Sequence, residues 1–446
     1  MRIIIIGGGE IGFALASQLA RDHSVSIIDS VVAVGERFDA VDVAFVRGSG
    51  TSAEALGRAG VATTDLLIAC TGLDEINMVA CAVARRLGAA RTICFVSRED
   101  FAGSDSSAEA VQTHFGIERI IWPEAQLAEE IERIIRSPGA IDAETFAEGR
   151  IQLLEFRLPA SSRLIGSPLA ALRLPPGALI VAVKRSDTIE IPRGDTHLLA
   201  DDKIFVMGVP IAVAEIAPQV HAGREGRAAQ LVTIIGGGDV GYRLAQRLDT
   251  GGIDLRVIER DRTRGELLAS SLRHALVLHG DGTDLELLES EAIGRSDVLV
   301  SVIDNDERNL LASLLGRQLG VARLITRVSR PANLRLFERV GIDVALSARG
   351  AAVNALVHEI QGGRARLLAV LEEGQATIVE ITVPAGFSPR ALMDMKAPAH
   401  SIVGAILRGT EVIVPRGADQ IRAQDRLLVF AAADAVARVR NYFGSA

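Results

Sequence analysis

Aromatic residues are scarce in this sequence. They make up 4% of its 446 residues, with a single Trp and two Tyr, while apolar residues as a whole reach 48%. A core built mainly of aliphatic residues favours buried parallel strands covered by helices over an aromatic-rich β-sandwich. Because compact domains usually hold about 100–150 residues, a chain of this length predicts three or four of them.

Cysteine is rare as well, with only Cys70, Cys81 and Cys94, and no two of them form a CxxC pair. A disulfide framework needs more cysteines in a smaller chain, so the sequence predicts reduced, mostly buried thiols in a cytosolic protein. The eight histidines show no metal-ligand spacing with these cysteines. No metal site is therefore expected.

Long apolar runs are also missing, and no stretch approaches the ~18 uninterrupted apolar residues that a membrane-spanning helix needs. The apolar start, Met1–Gly7, is too short for a signal peptide and runs directly into glycines, which is typical of a first β-strand. The formal net charge is −8, and no cluster of Lys and Arg stands out. The sequence thus predicts no membrane span and no nucleic-acid partner.

What the sequence does contain is an internal repeat. Residues 4–12, IIIGGGEIG, return at residues 233–241 as TIIGGGDVG. Two further matches, Gly48–Thr51 with Gly280–Thr283 and Asp74–Asn77 with Asp306–Asn309, share one spacing of 232 residues (48 to 280, 74 to 306). Ordered matches at a nearly constant spacing identify a tandem duplication.

Each copy continues into a smaller lobe with short alternating strands, and residues 191–194 (IPRG) return as 414–417 (VPRG). The strands predicted to begin these lobes are Leu153–Leu158 and Ile378–Val383. Glycine, proline and charged residues interrupt the apolar pattern near Ser137–Gly139, at Gly362–Gly363 and between residues 221 and 229. The predicted domains are therefore 1–138, 139–222, 229–362 and 363–446.

In the first half, short apolar runs alternate with helical stretches, which indicates βαβ units and a parallel sheet. The predicted strands and helices are strands 3–6, 25–28, 43–46, 66–69 and 92–96, a helix from about 12, and a helix over 76–87. The fold class is thus α/β, with two tandem modules that each join a parallel-sheet N-lobe to a small α+β C-lobe.

An amphipathic helix is predicted near the end of each half. In the first, its apolar stripe contains Leu127, Ala128, Ile131, Ile134 and Ile135. Two i,i+4 ion pairs, Glu129 with Arg133 and Glu132 with Arg136, are expected on the other side. The helix either packs on its own sheet or associates with a neighbouring module.

The glycines of both copies fit a phosphate-binding loop. Gly7, Gly9 and Gly12 follow an all-Ile strand and precede a helical stretch, and Asp29 ends the next predicted strand. In the Rossmann fold such glycines form a tight turn, admit a pyrophosphate and let helix and strand pack closely, while the acid binds ribose hydroxyls. An acid at this position favours NAD over NADP. The alternative is a glycine turn without a ligand.

The second copy places Gly236, Gly238, Gly241 and Glu259 in the same roles. Strand ends of such sheets also meet ligands after the third and fourth strands. The residues predicted to line the two sites are therefore Gly7, Gly9, Glu10, Ile11, Gly12, Asp29, Gly48, Ser49, Thr71, Asp74, Asn77 and Arg98 in the first, and Gly236, Gly238, Asp239, Val240, Gly241, Glu259, Gly280, Asp281 and Arg327 in the second. For Asp74 and Asp306, a role as cap of the following helix is an equally good interpretation.

A catalytic motif is not evident. A dehydrogenase needs an acid–base group beside the nicotinamide and a substrate domain, whereas the C-lobes are small. His114, His274 and His279 are isolated in the sequence and are more often structural. The prediction is a protein that is not an enzyme, with an NAD-dependent oxidoreductase as the alternative.

With these residues in place, the chain resembles the TrkA family of regulatory subunits from bacterial Trk potassium uptake systems, which are built of RCK (regulator of potassium conductance) modules. The resemblance rests on DEINMVAC at 74–81, PGA at 138–140, FAEG at 146–149, IERD at 258–261 and Gly280-Asp281. It implies binding of NAD(H) and ATP/ADP in the N-lobes, a homotetramer, and a cytoplasmic location against the inner face of the cell membrane. It further implies a TrkH-like membrane-embedded potassium transporter subunit as partner.

The resemblance also implies an arginine after the fifth strand that reaches the nucleotide phosphates. The second copy keeps it as Arg327, whereas the first copy has Phe95 in that register and Arg98 three residues later. Unequal sites are therefore expected. Service to another cation channel or antiporter is the third functional hypothesis.

Overall fold

The computed structural model describes residues 1–102, 106–186, 188–221, 223–250, 252–360, 365–371 and 375–444. The chain forms two compact units. The first unit contains Met1–Ala128 together with Leu346–Val357, and the second contains Glu129–Ala345 and His358–Ala446. The predicted break at Gly362–Gly363 lies outside the described residues.

A six-stranded sheet forms the centre of the first unit, with strand order β3-β2-β1-β4-β5-β6, and its strands pair in parallel. All four isoleucines of β1 are buried, because helices cover both faces of such a sheet. The strands are β1 Arg2–Ile6, β2 Ser24–Asp29, β3 Val43–Arg47, β4 Leu66–Ala69, β5 Arg91–Phe95 and β6 Arg119–Ile121. The helices are α1 Glu10–Leu19, α2 Val32–Gly35, α3 Ala53–Arg58, α4 Asp74–Arg86, α5 Glu99–Ala102, α6 Ser106–Phe115 and α7 Pro123–Ile135.

The sequence predicts β1 to β5 to within about a residue, whereas it does not predict the short edge strand β6. The helices α1 and α4 each begin two residues earlier than expected, at Glu10 and Asp74. In both cases the polar first turn, rather than the first apolar residue, opens the helix. Acidic side chains there stabilise the free N–H groups of the helix start.

The second copy repeats the sheet in the order β14-β13-β12-β15-β16-β17. Its strands are β12 Leu231–Ile235, β13 Asp254–Glu259, β14 Leu276–His279, β15 Val298–Ser301, β16 Arg323–Arg327 and β17 Val344–Leu346. Its helices are α10 Asp239–Leu248, α11 Arg262–Ser271, α12 Leu285–Ser290, α13 Asp306–Leu319, α14 Leu334–Arg339 and α15 Ala348–Ile360. The predicted pair of parallel-sheet modules is confirmed.

The C-lobes are antiparallel sheets with orders β10-β9-β11-β8-β7 and β18-β19-β24-β21-β22, the second accompanied by the pair β20-β23. The first lobe contains β7 Asp142–Phe146, β8 Ile151–Arg157, β9 Ala178–Arg185, β10 Thr188–Glu190, β11 Lys203–Gly208, α8 Pro210–Ala214 and α9 Ala217–Val220. The second contains β18 Ala365–Leu371, β19 Ala376–Thr382, β20 Arg390–Ala391, β21 Ser401–Arg408, β22 Glu411–Ile413, β23 Gln420–Ile421, β24 Arg426–Ala432 and α16 Val436–Gly444.

One prediction about the lobes is wrong. Each lobe begins one strand earlier than expected, with β7 and β18 before the predicted first strands. β7 reads DAETF and pairs only with β8, so it is an edge strand. An edge strand needs no continuous apolar run, which is why the sequence pattern does not mark it.

The last turns of α7 contact the second copy. Arg247 of α10 lies 2.5 Å from Glu132 and 3.3 Å from Glu129, and Arg323 donates to the carbonyl oxygen of Ile134 at 3.1 Å. The predicted Glu132–Arg136 pair forms at 2.8 Å, whereas Arg133 lies 3.9 Å from Glu144 rather than serving Glu129. These contacts favour association with the neighbouring module over packing on the helix's own sheet alone.

All three cysteines are free and buried, and burial raises the pKa of the Cys70 thiol to about 12. Within the described ranges, no helix is both long and apolar enough to cross a bilayer, and no group of metal-ligating side chains comes together.

Candidate functional site

The glycine loop of the first copy uses its three glycines in three ways. Gly7 has a φ of +99°, a left-handed conformation that only glycine adopts without strain. A Cβ on Gly12 would lie 1.9 Å from the carbonyl oxygen of Gly7, so α1 can approach β1 this closely only without a side chain. A Cβ on Gly9 would meet nothing within 4 Å. The loop is therefore tight on its protein side and open at Gly9, at the N-terminus of α1.

The second copy reproduces this arrangement. Gly236 has a φ of +102°, and a Cβ on Gly241 would lie 1.8 Å from the carbonyl oxygen of Gly236. A Cβ on Gly238 would again meet nothing within 4 Å. In each copy a helix thus begins with free N–H groups that face open space, which is the geometry that binds phosphate.

The acid that ends the second strand fastens the loop. Asp29 accepts hydrogen bonds from the backbone N–H of Gly8 and of Val31, both at 2.8 Å. Glu259 accepts from the N–H of Gly237 and of Asp261, both at 2.7 Å. An ionised carboxylate offers about four acceptor positions, so capacity for ribose hydroxyls is left over.

The glycines after the third strand are tightly packed. A Cβ on Gly48 would lie 2.7 Å from the Cβ of Ala55, and a Cβ on Gly280 would lie 2.4 Å from Leu287. These glycines admit the following helix, a role that sequence reasoning did not anticipate. Ser49 bonds to Thr51 at 2.8 Å between hydroxyl oxygens.

Hydrogen bonds link the segment after β4 to the end of β5, and they involve Thr71, Asp74 and Asn77. Asn77 accepts from the N–H of Thr71 at 2.9 Å and donates to the carbonyl oxygen of Phe95 at 3.0 Å. Asn309 does the same between Ile303 and Arg327, at 2.8 and 3.0 Å. Both Asn side chains are fully buried, so they hold β4 to β5 and β15 to β16 at the edge where the loops lie.

The carboxylates of Asp74 and Asp306 do not cap the helices that they begin, and instead bind the segments that follow β5 and β16. Asp74 accepts from the N–H of Ser97 at 2.9 Å, and Asp306 from that of Ser329 at 2.7 Å. Burial alone would raise the pKa of Asp306, yet hydrogen bonds from Ser329, Asn333 and Arg330 outweigh it and hold that pKa below its usual value. The cap of α13 is Asn305, which accepts from the N–H of Arg308.

The chain matches two known domain families, and both glycine-loop sites lie in segments that match the first of them. The TrkA-N domain matches residues 3–123 and 232–348, and the TrkA-C domain matches residues 153–221 and 377–444. A Trk system potassium uptake protein TrkA homolog from Methanosarcina mazei is 38% identical over 99% of this chain and 100% of its own length. A TrkA homolog from Archaeoglobus fulgidus is 35% identical over the same shares.

The chain belongs to the TrkA family.

Solved structures show the same fold. The RCK domain of GsuK superposes with a TM-score of 0.58 at 18% identity and covers 98% of this chain and 94% of that one. The GsuK channel bound to NAD also has a TM-score of 0.58, with 17% identity, 99% of this chain and 78% of that one. At these identities the likeness shows the fold, and the site of this TrkA family member has to be judged on its own residues.

The second site carries two arginine–aspartate pairs where the first has none. Arg308 lies 2.6 Å from Asp281, and Arg327 lies 3.1 Å from Asp304. The residues 232 positions earlier are Ile76, Ser49, Phe95 and Gly72. Burial would raise the pKa of Asp281, but hydrogen bonds from Thr283 and Arg308 outweigh it and lower that pKa. Sequence reasoning identified Arg327 and Asp281 but missed their partners.

The flanking residues of the two loops are bound differently. Glu10 pairs with Arg349, which α15 contributes to the first unit, and Asp239 lies 3.7 Å from Arg264. Ile11 is half-buried and Val240 is buried. Arg98, a predicted site residue, forms surface ion pairs with Glu75 at 3.3 Å and with Asp100 at 3.2 Å.

The three histidines that are isolated in the sequence, His114, His274 and His279, each contact a different neighbouring residue. His274 Nδ1 lies 3.3 Å from Asp249, His279 Nε2 lies 3.1 Å from the carbonyl oxygen of Arg260, and the ring of His114 packs against that of Phe115. His274 lies two residues before β14, at the edge of the sheet opposite the glycine loop. None of these contacts adds a nicotinamide-facing acid–base pair to the described residues.

Proposed function

We propose that the chain is a nucleotide-sensing regulatory subunit that gates a membrane potassium transporter. The observation that carries this proposal is the duplicated glycine loop. In each copy the space beside the second glycine, Gly9 or Gly238, is empty, whereas the third glycine, Gly12 or Gly241, packs directly against the backbone of the first. Membership of the TrkA family supplies the transport context, and GsuK, which shares the fold, is a channel bound to NAD.

NAD(H) and ATP or ADP are the proposed ligands. The N-termini of α1 and α10 would bind the phosphates, and Asp29 and Glu259 would accept hydrogen bonds from the ribose hydroxyls. The proposed assembly is a homotetramer at the inner face of the cell membrane, docked on a TrkH-like subunit, with domains 1–138, 139–222, 229–362 and 363–446. A ligand that binds one conformation of the assembly better than another would shift the population by that difference in affinity.

The test replaces Gly9 and Gly238 by Val in one protein. Because the space beside both positions is empty, we expect the variant to fold with nearly wild-type stability. The added side chains occupy the place of the pyrophosphate, so calorimetry should show NADH and ATP binding weakened at least tenfold. Potassium uptake by cells that depend on this protein should lose its response to nucleotide.

The matched control is Gly57→Val with Gly386→Val, since both glycines also face open space, neither has a positive φ, and both lie outside the loops. Unchanged NADH and ATP binding in the loop variant would show that the loops are not the sites. Normal binding with potassium uptake that is indifferent to the protein would instead refute the regulatory role.

The two sites should also differ in ligand preference. A triphosphate carries more negative charge than the pyrophosphate of NADH, and Arg327 can exchange its exposed partner Asp304 for phosphate oxygens at little cost. The buried Phe95 offers no such bond. We expect Arg327→Phe to weaken ATP binding at the second site about tenfold to hundredfold, and Phe95→Arg to strengthen it at the first.

Each titration uses a protein in which the other site is disabled at Gly9 or Gly238. NADH binding is the internal control and should change less than ATP binding. Equal ATP affinities at the two native sites, or no response to either substitution, would contradict the predicted inequality.

A further inference from the structure

A cavity of about 310 Å³ lies in the second unit, between the first C-lobe and the second parallel sheet. Residues near the ends of β8 and α9 line one side, and the start of β16, the helix α14 and the turn before β17 line the other. Arg323 is the first residue of its parallel strand, so the cavity lies at the edge of the sheet opposite the glycine loop. It is therefore separate from the proposed nucleotide site.

The buried end of this cavity contains a guanidinium that is only half used. Arg323 is 5% exposed, and its Nη1 donates to the carbonyl oxygens of Ile134 and Ser137 at 3.1 and 3.2 Å. Its Nη2 is buried and has no hydrogen-bond partner among the described residues. Burial lowers the pKa of Arg323 to about 10, which still leaves it charged at neutral pH. A buried charged donor without a partner is costly, so a ligand that satisfies it would be stabilised.

The first copy shows why the Nη2 of this arginine has no hydrogen-bond partner among the described residues. Its counterpart 232 positions earlier is Arg91, whose Nη2 lies 2.7 Å from Glu118 and whose Nε also donates to that carboxylate. In the second copy the acid after the Gly-Ile turn is Asp343, which is one methylene shorter. Asp343 instead accepts from Arg317 at 2.5 Å and from the N–H of Leu324 at 2.7 Å. The second copy thus lacks the direct ion pair of the first, and Arg323 keeps a buried Nη2 without a hydrogen-bond partner among the described residues, although Asp343 and Glu225 act on its charge from further away.

The outer part of the cavity has the opposite charge. Asp201 is exposed, and Glu225 is 42% exposed and lies 3.0 Å from His221 Nδ1. Two further charged residues of the lining, Arg157 and Glu338, form an ion pair at 3.4 Å, so their charges offset each other. The lining therefore offers a positive donor at its buried end and carboxylates near solvent.

We propose that this cavity binds a small zwitterion of the amino-acid class, with its carboxylate on Arg323 and its ammonium group facing Asp201 and Glu225. A phosphate would be repelled by the two carboxylates, and a metal ion or polyamine by the guanidinium. The volume is at the small end of ligand sites and roughly twice that of a cavity that holds benzene, so it suits a molecule smaller than a nucleotide.

The test is calorimetry of the full-length protein with alanine and glutamine as probes, and with inorganic phosphate and putrescine as charge controls. We expect at least one zwitterion to bind in the millimolar range or tighter, and to bind better than either control. Arg323→Gln should weaken this binding about tenfold to hundredfold.

Because Arg323 also holds α7, a second variant avoids the core. Asp201 has a φ of +66°, which Asn tolerates, so Asp201→Asn should fold normally and weaken zwitterion binding severalfold. Arg91→Gln, at the equivalent paired position, and Gln424→Asn, at the position equivalent to Asp201, should leave it unchanged. Binding of neither zwitterion, tighter binding of phosphate, or binding that ignores both cavity variants would overturn the proposal.

Discussion

Replacing Gly12 by Ala is expected to destabilise the first unit by roughly 3 kcal/mol or more. The new Cβ would lie 1.9 Å from the carbonyl oxygen of Gly7, a backbone atom that cannot rotate away. The loop has no room to retreat, because a Cβ on Gly7 would itself lie 3.0 Å from the backbone N of Thr71. Urea unfolding followed by circular dichroism measures the loss as a change in the free energy of unfolding.

The control for this substitution is three residues away. Gly9→Ala adds the same methyl group where nothing lies within 4 Å, and the backbone there, at φ −65° and ψ −160°, is accessible to alanine. Its stability should remain within about 1 kcal/mol of wild type. Gly241→Ala and Gly238→Ala repeat the comparison in the second unit. Similar losses for both members of a pair would show that the close approach of helix and strand is not what these glycines provide.

The second large effect is expected at the junction of the two C-lobes. Phe205 on β11 and Phe430 on β24 are fully buried, with ring centroids 5.9 Å apart, in one apolar cluster drawn from both lobes. Either Phe→Ala change should cost about 3–5 kcal/mol, because it removes a large ring and leaves a cavity that the sheets cannot collapse to fill. Thermal and urea unfolding of the second unit should both report the loss.

The double variant sharpens this prediction. Because the two rings contact one another, either single substitution already removes the contact between them. The loss of unfolding free energy in the double variant should therefore be smaller than the sum of the two single losses. Phe387→Ala, at a half-buried position of the second C-lobe, is the control and should cost clearly less. Additive losses, or a control as damaging as the others, would mean that the rings do not join the lobes.

Features set by neighbouring residues were predictable from the sequence. The strand–glycine–helix segments, the acids Asp29 and Glu259 and the duplication all depend on short patterns at fixed spacing. The unexpected pairs have a different origin. Arg308 meets Asp281, and Asp343 turns to Arg317 rather than Arg323, because distant segments come together in the folded sheet. A spacing rule contains no information about which of several charges becomes the nearest neighbour.

The interpretation of α7 shows the same limit. Its apolar stripe correctly predicts a buried helix, and Ile131 and Ile134 are fully buried. An amphipathic pattern predicts that the apolar face of a helix is buried, but it does not identify the segment that packs against that face. Arg247 and Arg323, more than a hundred residues away, decide that question for its last turns.

The composition of the two units makes the two copies depend on one another. The first unit includes Leu346–Val357 from the second copy, and the second unit includes the end of α7 and the first C-lobe from the first copy. Between separate molecules, such an exchange of segments would depend on the protein concentration. In this chain the exchange is intramolecular, so the intervening residues set the effective concentration of each exchanged segment, and dilution does not change it.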